Sequence, residues 1–165
     1  MHMWQEKIYQ GNRRFESRQW AEAENAYLEA CSLLEYEWFQ DLESTHLMLA
    51  WVANMHNLAT LYEAMGLPQK VSPYLIQPYR RILTLMKEHE FSHVFHHDLG
   101  TAMRSSITAL LQFTQKHPIC PCCQKEITKM QHWLNQAEFH LANMPSDPLV
   151  LDYGIPTRAS TAALH

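Results

Sequence analysis

Gly11 is the residue that most constrains what this chain can fold into. It stands in Tyr9-Gln10-Gly11-Asn12-Arg13-Arg14-Phe15, ahead of Trp20-Ala21-Glu22-Ala23 and then Tyr27 and Ala30. A glycine on one helix facing alanines on the next, Ala23 and Ala30, lets two backbones approach toward the lower end of the roughly 8–10 Å spacing of packed helices. Phe15, Trp20 and Tyr27 then fill the space above and below the crossing. Glu16-Ser17-Arg18-Gln19 is a polar link of the length that joins helices in bundles, about 2–8 residues. Ala23, Tyr27, Ala30 and Leu34 recur at three- and four-residue intervals, which is one face of a helix. The stretch therefore predicts an antiparallel helical hairpin.

Gly11, Asn12, Phe15, Trp20, Ala23, Tyr27 and Ala30 together resemble a tetratricopeptide repeat. The chain departs from that pattern at Lys7, where the family favours Trp, and at Glu35, where it favours Pro. The second departure implies a second helix that runs on, from about Trp20 to about Phe39. A second match begins in Asn57-Leu58-Ala59-Thr60-Leu61-Tyr62, passes through Gly66 and leads into Val71, Leu75 and Pro78, with the same interval from Ala59 to Val71 as from Gly11 to Ala23. The step from Gly11 to Ala59 exceeds the usual ~34 residues and predicts extended helices, the next from about Leu42 to Met65. Pro73 and Pro78 place the following helix start near Pro68 or Val71, with a kink at Pro78. A third, more divergent pair runs from Phe95 to Lys116 and from Gln124 to Asn143. The resemblance covers roughly Met3 to Leu83 and, more weakly, the chain to about Asn143.

Composition agrees with an all-α domain. Apolar residues make up 47% and charged residues 18% of the 165, which is the balance of a globular rather than a disordered chain. Only four glycines occur, and no segment alternates apolar and polar with β-branched enrichment. The expected fold is an all-α, tetratricopeptide-like superhelix of about three antiparallel hairpins with longer than usual helices. It occupies 1–144 as a single domain, followed by an extended or disordered tail over 145–165. A net charge of −4 with scattered Lys and Arg argues against a nucleic-acid surface. No basic start with an apolar run behind it marks a signal peptide. The most apolar stretch, Leu47 to Leu61, is interrupted by Asn54, His56 and Asn57, short of the ~18 apolar residues of a membrane span. A cytoplasmic protein is the expectation.

In a tetratricopeptide stack the first helices of the repeats line a concave groove, and the resemblance places Tyr9, Asn12, His56, Asn57, Thr60 and Arg104 along it. Domains of that family that grip the C-terminal carboxylate of chaperone tails carry Asn, Asn and a basic residue where Asn12, Asn57 and Arg104 fall, with Ser106 as the third crossing position. Ile8 and Gly100 stand where the clamp has lysines. Two missing charge-assisted donors, each worth about 1.5–3 kcal/mol, argue against a carboxylate clamp. The plainer reading makes Asn12 and Asn57 conformational residues of the repeat.

Two clusters could hold a metal. His117-Pro118-Ile119-Cys120-Pro121-Cys122-Cys123 packs one imidazole and three thiols into an interhelical turn. Such ligands, His117, Cys120, Cys122 and Cys123, suit zinc or copper(I), although the spacing strains around one tetrahedral ion. Redox exchange at Cys120 and a proline-rich turn with an exposed thiol are the competing readings. Three crowded cysteines among four do not read as a disulfide framework. His89, His93 and His97 share a face only if one helix runs through them, and no HExxH arrangement accompanies them.

Catalytic motifs are missing: there is no phosphate-cradling glycine loop, no Gly-x-Ser-x-Gly elbow and no cysteine in a protease-like context. The five tryptophans read as core between long helices. The resemblance thus implies a non-enzymatic adaptor that binds a peptide or partner protein in its groove. A metal- or redox-responsive sensor at the cysteine turn is one alternative. A structural homodimer, its groove filled by its own or a neighbour's tail, is another.

Overall fold

Two serines, several prolines and two left-handed residues punctuate the chain. In the computed structural model, which describes residues 1–141, they delimit six helices: α1 (Met3–Glu16), α2 (Trp20–Gln40), α3 (Thr45–Ala64), α4 (Val71–Glu88), α5 (His93–Lys116) and α6 (Pro121–Leu141). One turn of 3-10 helix, Pro68–Lys70, leads into α4. No strand occurs among the described residues, and the fold is all-α. The tail expected from residue 145 onward lies outside the described residues.

Local chemistry explains where the boundaries differ from those expected. Helix α3 starts at Thr45 rather than near Leu42 because the Ser44 hydroxyl accepts the Leu47 N–H at 3.4 Å. Ser92 caps α5 in the same way through the Phe95 N–H at 3.3 Å, moving its start to His93. Helix α6 begins at Pro121, ahead of the expected Gln124, since proline suits the first helical position, where its missing N–H costs nothing. Pro73 falls in the first turn of α4 by the same logic. Pro78 lies inside α4 and leaves the Tyr74 carbonyl without its helical donor.

The first two hairpins turn in the same way. After α1 the Gln19 N–H reaches the Arg14 carbonyl and the Arg18 N–H reaches Phe15; after α3 the Leu67 N–H reaches Tyr62 and the Gly66 N–H reaches Glu63. Both are Schellman closures, with Arg18 (φ 57°) and Gly66 (φ 72°) in the left-handed region. These two residues are 48 apart, as are the buried small residues Gly11 and Ala59. Sequence repetition is thus matched by a repeated local geometry.

Packing follows chain order. Each helix packs against the next, and α3 also packs against α5. Trp4 of α1 meets His46 of α3 with ring centroids 5.2 Å apart, and the Thr45 hydroxyl at the start of α3 donates to Asp98 of α5 at 2.5 Å. Helices α1, α3 and α5 therefore bring their N-terminal ends to one side of the molecule. The core holds Trp4, Tyr27, Trp38, Trp51 and Phe95 fully buried, and it extends to Ile127 and Met130 of α6. At the first crossing the space over Gly11 is filled by the ring of Tyr27, a residue expected only at its flank: a Cβ on Gly11 would lie 2.4 Å from Tyr27 Cε1. Ala23 and Ala30 are both fully buried beside it.

Candidate functional site

A groove runs between α3 and α5, with a cavity volume of about 380 Å³. Leu49 and Val52 from α3 and Ala102 and Ala109 from α5 give it apolar walls, and Arg104, Ser105, Thr108 and Gln112 give it a polar edge. Leu49 and Val52 are one helical turn apart, so both reach the same face of α3. Among the described residues Arg104 is the one charged side chain lining the groove. An apolar floor with a single cation at its rim suits an extended peptide with an acidic side chain or a terminal carboxylate.

Of the residues expected along a groove, Arg104 is the one that lines this depression. Asn12 is tied to α2 instead: its Oδ1 accepts the Tyr27 hydroxyl at 2.8 Å. Asn57 is 2% exposed and offers no surface to a ligand. Tyr9 is exposed on α1, and Thr60 is exposed on α3 with its hydroxyl donating to the His56 carbonyl at 2.9 Å.

His56 is half-buried on α3, with its Nε2 turned inward. Its Nε2 is buried without a hydrogen-bond partner, and burial pushes the imidazole pKa down to about 4. An unfolded chain would bind a proton there near pH 6.5, so between about pH 6.5 and 4 the unfolded state holds a proton that the native state refuses. Stability due to this site is complete above pH 6.5 and falls by about 2–3 kcal/mol as the pH drops to 4. Urea unfolding from pH 7 to pH 4 should show that loss, and His56→Leu should flatten it; an equal slope in both proteins would place the acid sensitivity elsewhere.

The cysteine turn is gathered more tightly than its spacing suggested. Because α6 starts at Pro121, Cys120, Cys122 and Cys123 all belong to its N-terminal turn, and their sulfurs lie within 4.8 Å of one another. Cys120 Sγ and Cys123 Sγ are 3.0 Å apart, and the Cys123 N–H donates to Cys120 Sγ at 3.3 Å. Hydrogen bonds from Cys122 and Cys123 hold the Cys120 thiol down at about 7, and its interaction with Cys120 pushes the Cys123 thiol up to about 12. A second depression, about 530 Å³ in volume, opens beside Cys120 and Cys123 between the start of α4 and the end of α5, with Pro68, Pro73, Phe113 and Ile119 among its walls.

His117 does not complete a four-ligand set. It shares that depression, but its Nε2 lies 3.4 Å from Glu63 Oε1, and the sulfur cluster contains the three cysteines alone. The break between α4 and α5 separates His89 from His93 and His97, which lie four residues apart on one face of α5. Cys31 is a different kind of thiol. It is buried, receives the Asn54 Nδ2 donor at 3.1 Å, and its pKa is pushed by burial up to about 12. Among the described residues no helix is long and apolar enough to cross a membrane.

Fold and site together define a class, an all-helical chain with two matched hairpins, an interhelical groove and a solvent-facing thiol cluster. The model of one family, described as a protein of unknown function (DUF2753), matches residues 2–144, and the chain belongs to that family. None of the curated proteins or solved structures compared with the chain matches it.

Proposed function

We propose that this chain is a cytoplasmic, non-catalytic adaptor of the tetratricopeptide-like kind, which binds a peptide or an extended segment of a partner protein in the groove between α3 and α5. The observation that carries the reading is the groove itself, apolar at Leu49 and Ala109 over the buried Val52 and Ala102 and edged by the Arg104 guanidinium. The 48-residue step shared by the Gly11/Ala59 and Arg18/Gly66 pairs supports a repeat architecture. A rim cation gives orientation and an apolar floor gives affinity, the division of labour found in ligand clefts.

The test is affinity capture from native cell extract with three proteins: the intact chain, Arg104→Glu, and Thr108→Trp, which places a ring in the groove from an exposed position. Circular dichroism first establishes that both variants are folded. A partner held by the intact chain and lost by both variants identifies the groove as the working surface. Equal capture by all three sinks the groove reading. If no partner is captured and the solution mass is doubled, the molecule is a structural homodimer instead, with Tyr36 and Phe39, exposed on α2 at 70% and 72%, as its first candidate contact.

A further inference from the structure

The sulfurs of Cys120, Cys122 and Cys123 share one helical turn within 4.8 Å of one another, and from this geometry we infer a three-coordinate thiolate site for a soft monovalent ion, copper(I). A d10 ion with metal–sulfur bonds of about 2.3 Å at the centre of three sulfurs holds them about 4 Å apart. The observed separations bracket that value, so small side-chain rotations complete the site. The backbone is already in place, because Pro121 fixes the first turn and the Cys123 N–H is already aimed at Cys120 Sγ.

Ligand number and type select the ion. Structural zinc takes four ligands in a tetrahedron, and neither ring nitrogen of His117 lies within the cluster of sulfurs. No other His, Asp or Glu joins the three thiols among the described residues. Soft thiolates favour copper(I). Loading proceeds without a change of oxidation state: three S–H protons leave to solvent, three sulfur–copper bonds form, and the site carries a net charge of −2. The Cys123 N–H in the first turn of α6, which donates to Cys120 Sγ at 3.3 Å, offsets part of that charge. Phe113, Pro68, Pro73 and Ile119 line the depression that Cys120 and Cys123 share.

This site is independent of the α3–α5 groove, and its test does not depend on any partner. The full chain, without a histidine tag, is reduced, freed of reductant under anaerobic conditions and titrated with copper(I) against bicinchoninate. One equivalent per chain should leave the chelator, with thiolate-to-copper absorption in the ultraviolet and three sulfur scatterers in X-ray absorption. Cys120→Ser, Cys122→Ser and Cys123→Ser should each weaken binding by more than about 100-fold, beyond the 10- to 100-fold cost of losing an outer-sphere partner. His117→Ala should leave copper affinity unchanged. Copper left wholly on the chelator overturns the proposal, as does full binding by Cys122→Ser. Zinc displacing the copper, with binding lost in His117→Ala, would make the site tetrahedral and overturn it equally. Because the ligands sit at the surface, circular dichroism of the variants should match the intact chain, which separates lost ligation from lost fold.

Discussion

Gly11→Ala should destabilise the protein by about 3 kcal/mol, an effect usually associated with a core truncation although it adds only one methyl group. The added Cβ would lie 2.4 Å from Tyr27 Cε1 and 2.9 Å from Tyr27 Cζ. The ring cannot swing clear, because Tyr27 is fully buried and its hydroxyl is held by Asn12 Oδ1 at 2.8 Å. Alanine is the better helix former by roughly 1 kcal/mol, so the steric cost must exceed the measured loss by that amount. The control is the same change in a Tyr27→Ala background. With the ring gone, Gly11→Ala should become neutral or stabilising by up to about 1 kcal/mol. Urea unfolding of the four proteins completes the cycle, and an unchanged cost without the ring would mean that the clash is with something other than Tyr27.

Trp51→Ala should cost about 4 kcal/mol, a large part of the roughly 5–15 kcal/mol that holds a domain of this size together. Trp51 is fully buried on α3 and ties three helices to one point. Its ring meets Trp38 of α2 at 5.5 Å between centroids, and its indole N–H donates to Glu35 Oε1 at 3.1 Å. The Arg81 guanidinium of α4 lies 4.9 Å from the Trp38 ring and 5.4 Å from that of Trp51. Arg81 Nε is buried without a hydrogen-bond partner, so the ring faces are a principal compensation for its desolvation. A double-mutant cycle between Trp51→Ala and Arg81→Ala should return a coupling of about 1–2 kcal/mol. A single-variant cost below about 1.5 kcal/mol would show that the three helices are held elsewhere.

Much of the secondary structure was legible because its causes are local. The Gly11 hairpin, the long α2, the start of the third hairpin helix near residue 95 and the prolines around α4 are set by neighbours a few residues away. Boundary shifts of two or three residues at Ser44, Ser92 and Pro121 come from caps and from proline at a first helical position, which are also local causes. The sites were less legible. Asn12 and Asn57 have the same polar character on paper, yet one is bonded to a buried tyrosine and the other is enclosed. His56 has the character of a groove residue, and its Nε2 is buried without a hydrogen-bond partner. Leu49 and Val52 carry no sign that they would share a groove with Arg104, about fifty residues away.

By itself the sequence determined that the chain is helical, to within a few residues where its helices begin and end, and that Gly11 sits at a close crossing of two helices. Those outcomes rest on backbone sterics, helix propensity and hydrogen bonds within one or two turns. Only the tertiary structure decided what Gly11 faces, that Arg81 is held against Trp38 and Trp51, and that α3 and α5 leave a groove between them. Each of these depends on contacts between residues distant in the chain, and which side chains meet there is set by how whole helices pack.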